Sequence, residues 1–282
     1  MPLDQVDVDK MKNKDEAEMS FLDHLEALRW HLVRSIVAIF VIAIVSFIFS
    51  DLVIETLLYG PKEKWFPTYK FICSISEDLC FYCPDFKLNQ IVLGEVFFTH
   101  IKVSIVFGLI VAFPYVFWEI WRFIKPALHD HELRAARGIV FTCSTLFISG
   151  VLFGYFIIAP FATTFLTNYS LNLNVDTTTS MASYSNYLIM YTLPTGLVFQ
   201  MPVVMYFLTK VGLITPDFLK KYRRHAAVII LVLAAIITPP DVITQFLIGI
   251  PLYFLYEVSI IISTRVLKKE AEKEKSDSLS KT

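Results

Sequence analysis

Six apolar runs, parted by short polar joins, organise the chain: Trp30–Ser50, Phe97–Trp121, Gly138–Phe161, Tyr187–Leu208, His225–Thr238 and Val242–Ile262. A bilayer core of about 30 Å is crossed by a helix of about 20 apolar residues. Five of the runs meet that length. The fifth has about 14 residues, or about 21 Å at helical rise, so its flanks must extend it or the bilayer must thin around it. The pattern predicts an all-α, polytopic membrane protein with six transmembrane helices.

The polar positions punctuate these runs. Ser20 can cap a helix in which Asp23 is the third residue, and Phe21, Leu25 and Leu28 share a face. This amphipathic start leads into the first span as an interfacial anchor. Pro114 lies inside the second span, Pro160 ends the third, and Pro194 and Pro202 interrupt the fourth. Helices in lipid tolerate proline where neighbours re-satisfy the freed backbone, and so many breaks point to a cupped rather than a straight bundle. Thr238-Pro239-Pro240-Asp241 leaves almost no loop between spans five and six, and Asp241 can cap the sixth helix. The stretch from Asp51 to Glu95 is too long for a bare loop and should hold a short helix or hairpin. The domain plan is a cytoplasmic tail over 1–19, a membrane domain over 20–265, and a disordered, charged cytoplasmic tail over 266–282.

Composition agrees with lipid as the solvent. The chain is 55% hydrophobic and 18% charged with mean hydropathy +0.58, against about 45–50% and about 25% in soluble domains. The formal net charge of −1 gives no reason to expect nucleic acid. Twenty of the 25 Lys and Arg residues fall in the N-terminal region, the joins 122–137 and 210–224, and the C-terminal tail. By the positive-inside rule those segments, and both termini, face the cytoplasm. Cys73, Cys80 and Cys83 fall in the outward loop, where the compartment is oxidising. A disulfide joining Cys73 to Cys80 or to Cys83 is expected, with the choice between them open. No metal or other cofactor is implied.

Ionisable and amide side chains inside spans are costly and mark functional candidates. Here they are Lys102, Glu119, Gln200, Gln245 and Glu257. Lys102 can snorkel outward. Glu119 can pair with Arg122 or Lys125, and Glu257 with Arg265. Gln200 precedes Pro202 and can satisfy backbone that the kink frees. No nucleophile, nucleotide-binding or metal-protease motif is present, so no enzyme is expected.

Three motifs stand in order at span boundaries: HLEALR (His24–Arg29), FPYVFWEIWRFIKPAL (Phe113–Leu128) followed by His131-Glu132, and TPPDVITQ (Thr238–Gln245). From Ser20 to Ile262 the sequence resembles the TatC family, the multispanning receptor subunit of the twin-arginine protein translocase. The resemblance implies a cupped fold in the bacterial inner membrane that binds the twin-arginine signal peptides of folded proteins. It also implies TatA/TatB-type single-span partners, transport driven by the proton-motive force, and a homo-oligomer within a hetero-complex. Carried onto this chain, the signal-peptide site comprises Glu132, Arg134, His24, Glu26, Arg29, Glu119 and Phe123. Thr238, Asp241 and Gln245, with the intramembrane Gln200 and Glu257, are the candidates for partner contacts. Two departures stand out. Ala27 occupies the place of a family Glu, so Glu26, Glu119 or Asp23 must supply the second carboxylate. Gln200 stands where many members carry Glu, which suits hydrogen bonding and not proton relay. The rival expectations are a secondary transporter with a midplane solute site, which would show two related halves, and a structural membrane anchor.

Overall fold

A computed structural model describes residues 21–75, 86–124, 138–168, 178–237 and 242–280. The first span is α1 (Phe21–Ile48), continued by a π-helical segment Asp51–Leu58 and a 3-10 turn Gly60–Lys62. A short helix, α2 (Pro67–Ile75), follows. The second span is α3 (Glu95–Ile124), which runs through Pro114 without a break. The third is built from α4 (Ile139–Phe153), a π turn Gly154–Ile158 and α5 (Ala159–Asn168). The fourth is α6 (Met181–Val198) and α7 (Met201–Lys210), and α8 (Pro216–Lys221) leads from it to the fifth. The fifth is α9 (Arg223–Ile237) and the sixth is α10 (Val242–Ser280). Five of these are long and apolar enough to cross a membrane, and α9, at 15 residues, is the short one.

The second, third and fourth spans pack on one another, and the rest attach to this group. The first packs chiefly on the second, the second on the third and fourth, the fourth on the sixth, and the sixth on the fifth. The first is the most peripheral, with 17% of its apolar window buried against 44% for the third. Two short parallel strands, β1 (Lys87–Asn89) and β2 (Thr178–Ser180), pair Lys87 with Thr178 and Asn89 with Ser180. They clip the entries of the second and fourth spans to one end of the molecule, called here the far end. Six helices return the chain to the end from which it started, the terminal end.

Lipid tails are as apolar as leucine, so helices in a bilayer adhere by close packing of small residues. The first two spans show this. Ser35, Ala43 and Ser46 are buried on the first, and Ser104, Gly108 and Ala112, four residues apart, on the second. A Cβ on Gly108 would stand 2.9 Å from the backbone nitrogen of Ala43, so only glycine permits this approach. Ser35 and Ser46 donate to the carbonyls of His31 and Ile42, four residues back, which removes their hydroxyls from contact with lipid. At the far end, the ring of Phe47 stacks on His100 with centroids 4.1 Å apart.

Two sequence expectations change here. Pro160 does not end the third span. The π turn before it widens the helix so that the proline ring is accommodated, and helix continues to Asn168. The tail expected to be disordered over 266–282 is helical to Ser280. Its Lys, Glu and Ala residues favour helix, and opposite charges recur at i, i+3 and i, i+4, as in Lys268 and Glu272. Residues 281–282 and 1–19, with the cap expected at Ser20, lie outside the described residues. In the far-end segment Cys73 is disulfide-bonded, Cys143 in the third span is a free buried thiol, and Cys80 and Cys83 lie outside the described residues.

Replacing Gly108 by Leu forces the first two spans apart. We expect G108L to lose about 1–3 kcal/mol, read as a lowered thermal unfolding midpoint in detergent, with G108A falling between it and the parent. An unchanged midpoint for G108L would refute the close approach.

Candidate functional site

Glu119, near the terminal end of α3, is 1% exposed. A carboxylate in a span must find donors or be neutralised, and this one finds two donors and a guanidinium. His31 of the first span presents Nδ1 to Oε2 at 2.5 Å. When the carboxyl is ionised it only accepts, and Nδ1 then carries the hydrogen. Tyr115, one turn back on the same helix, donates its hydroxyl to Oε1 at 3.0 Å. The guanidinium of Arg122, one turn ahead, stands 3.6 Å from Oε1 and rests over the ring of Trp118, 4.9 Å from its centroid. Phe123 meets the His31 ring edge-on at 6.2 Å. The group fixes the entry of the first span against the exit of the second.

The other candidates divide around this lock. Glu26 and Arg29 are exposed on α1, five and two residues towards the chain start from His31, and Ala27 between them is partly covered. His24 lies in the first turns of the same helix. Glu132 and Arg134 lie outside the described residues, in the connection that leaves α3 at Ile124 and returns at Gly138. Sequence reasoning singled out neither His31 nor Tyr115. A carboxylate in the second span calls for a donor at matching depth in a neighbour, but both His31 and Arg34 qualify, and the register between spans is not written in either helix.

The candidates deeper in the spans act as ties within the fold. Gln200, at the break between α6 and α7, donates Nε2 to the carbonyl of Cys143 on the third span at 3.0 Å, not to backbone freed by Pro202. Gln245 donates Nε2 to the carbonyl of Leu231 at 3.0 Å, which joins the sixth span to the fifth. Glu257 accepts from Arg223 at 2.8 Å across the same pair of helices, in place of the expected Arg265. Thr238 and Asp241 lie outside the described residues. Lys102 donates to Asn186 of the fourth span at 2.6 Å.

Glu95 was not anticipated at all. It is the first residue of α3, and its Oε2 accepts the backbone N–H groups of Ile91 and Val92 at 2.8 and 3.2 Å. Oε1 accepts the N–H of Ala182, at the start of α6, at 2.7 Å. One carboxylate thus serves the positive ends of two helices. Its signal is an acidic residue at the first turn of an apolar run, which sequence reads as a cap for one helix and never for two. Among the described residues, no group of three or more His, Cys, Asp or Glu side chains could hold a metal ion.

Residues 23–251 match the family described as Sec-independent protein translocase protein (TatC). The chain is 37% identical to the TatC of Blattabacterium sp. subsp. Periplaneta americana over 92% of its own length and 100% of the relative's. It is 35% identical to the TatC of Aquifex aeolicus over 91% and 100%, and 30% identical to TatCy of Bacillus subtilis over 92% and 94%. A crystal structure of the twin arginine translocase receptor TatC superposes with a TM-score of 0.68 at 35% identity, covering 86% of this chain and 99% of that one.

Removing the buried carboxylate should strand the hydrogens of His31 and Tyr115, at about 1–3 kcal/mol for each buried group left unpaired. Glu119→Leu should therefore lower the thermal unfolding midpoint in detergent more than Glu119→Gln, which keeps an acceptor. An E119L protein as stable as the parent would show that the lock contributes nothing to the fold.

Proposed function

We infer that this chain, which belongs to the TatC family of Sec-independent protein translocase proteins, receives twin-arginine signal peptides of folded cargo at its terminal end. As a family member it is a component of the Tat protein translocase and a multi-pass protein of the bacterial inner membrane, not an enzyme. That membership displaces the solute-transporter and plain-anchor readings.

One observation carries the assignment of the site. Of the two terminal-end carboxylates on the first two spans whose side chains are described, Glu119 is enclosed by its own partners, whereas Glu26 is exposed. A guanidinium arriving from the aqueous side can reach Glu26 without breaking anything. Glu26 is therefore the substitute for the carboxylate missing at Ala27, and Glu132 in the following connection is the second. Two adjacent arginines call for two acidic partners, each able to form a charge-assisted, bidentate pair. Arg134, His24, Arg29 and Phe123 frame that pair of carboxylates, and Glu119 holds the frame without touching the peptide.

The terminal end faces the cytoplasm, in keeping with the concentration of Lys and Arg there. The hairpin of spans five and six, with Thr238, Asp241 and Gln245, docks TatA/TatB-type single-span subunits through polar side chains worth about 0.6–2 kcal/mol each. The chain works as a homo-oligomer within that hetero-complex. The proton-motive force supplies the energy, in accord with a sequence that carries no nucleotide-binding motif.

A photoreactive residue at position 132 should crosslink to a twin-arginine signal peptide in inverted membrane vesicles, and the label should fade with a matched Lys-Lys peptide. Glu26→Gln should weaken the peptide about tenfold or more, the size of one lost charge-assisted hydrogen bond of about 1.5–3 kcal/mol. Equal labelling by both peptides would defeat the receptor reading. Unchanged affinity in E26Q, with crosslinking intact, would remove Glu26 alone.

A further inference from the structure

The second, third and fourth spans enclose an apolar recess of about 290 Å³ in the far-end half of the molecule. Val106 and Ile110 of the second span, Ile148 and Leu152 of the third, and Leu188 and Ile189 of the fourth form its walls. Three hydroxyl-bearing residues border it, and all three hydroxyls are already spent: Ser185 donates to the carbonyl of Ala182 and Thr192 to that of Leu188, each at 2.8 Å, and Tyr155 to that of Leu57 at 2.9 Å. Nothing inside asks for a hydrogen bond, so the occupant is a hydrocarbon.

Shape decides which hydrocarbon. The second-span lining runs from Val103 to Ile110, about 10 Å of helix. A volume of 290 Å³ over about 10 Å leaves a slot narrower than a helix with its side chains, which is about 10–12 Å wide. A partner helix does not fit, but an extended alkyl chain does.

Charge decides what the hydrocarbon is attached to. Lys102 and Asn186, next in sequence to the lining residues Val103 and Ser185, bridge the second and fourth spans beside the recess. Lys102 meets that neutral amide and, among the described residues, no carboxylate within ion-pair distance. It lies seven residues from the far end of α3, about 10 Å. A 30-residue helix is about 45 Å long and overhangs a hydrocarbon core of about 30 Å by about 7 Å on each side. The ammonium, on its flexible stem, therefore reaches the phosphate and ester layer of the leaflet away from the termini.

We propose that this recess binds one acyl chain of an anionic phospholipid whose phosphate is held by Lys102 and Asn186. The lipid fills the gap that the second and fourth spans leave below their far-end contacts. It is a bound component at a fixed place, distinct from the lipid that wets the outer faces of the helices.

The test uses the full chain in vesicles of phosphatidylcholine containing a minor fraction of phosphatidylglycerol with a photoreactive group in its acyl chain. Label should concentrate on the 148–152 and 188–189 peptides, and excess unlabelled phosphatidylglycerol should compete at least about fivefold better than added phosphatidylcholine. Lys102→Gln should abolish that preference, and Ile189→Trp, which fills the slot, should remove the label. The wild-type arm needs no variant to fold. Label spread evenly over all spans, or an unchanged preference in a folded K102Q protein, overturns the proposal. So does displacement by an apolar helical peptide but not by excess phosphatidylglycerol, which would give the recess to a helix.

Discussion

A carboxylate sealed between two membrane helices governs how this chain begins. Glu119 could not remain ionised in a span without partners, and its partners come from both sides: His31 from the first helix, Tyr115 and the guanidinium of Arg122 from its own. The first helix has few other attachments. It adheres along a stripe of small residues, and most of its surface faces outward. The small residues fix how close the two helices come, and the His31–Glu119 bond fixes how far one may slide along the other. The register of Glu26 and Arg29 relative to the connection after Ile124 follows from that bond.

The same logic recurs at wider spacing. Apolar surface gives helices in lipid no reason to choose one neighbour over another, so the choice falls to a few polar contacts. Thr209 meets Ser263 at 2.7 Å between the fourth and sixth spans, and Tyr256 reaches the carbonyl of Leu219 at 2.8 Å. Gln200, Gln245 and Glu257, singled out as intramembrane polar groups, each bind a neighbouring helix. Being a structural tie does not disqualify a residue from touching a partner. It does mean that substitutions at these places change the fold's own contacts first.

The sequence was most legible where one physical demand dominates. The thickness of the bilayer fixes span length, and the six helices stand close to where the apolar runs put them. It was least legible where two weak demands compete. Proline ordinarily stops a helix, yet a π turn before Pro160 let the third span continue. Charge without apolar residues ordinarily means a solvated coil, yet the spacing of Lys and Glu after Arg265 sustains helix. The departure at Ala27 was plain from the motif, but nothing in the motif distinguishes Glu26 from Glu119; burial does, Glu119 being enclosed and Glu26 open, while the side chain of Asp23 lies outside the described residues. Glu95 stayed invisible because its second client, the N–H of Ala182, lies 87 residues away.

The contacts between the second and fourth spans are unevenly distributed. Glu95, the paired strands and the Lys102–Asn186 bridge all lie in the far-end portion. Towards the terminal end the two helices meet through the rings of Trp121 and Phe207, 5.6 Å apart. Mechanically the far end is a stem clamped by directional bonds. A load carried along the two helices meets its stiffest resistance in that stem.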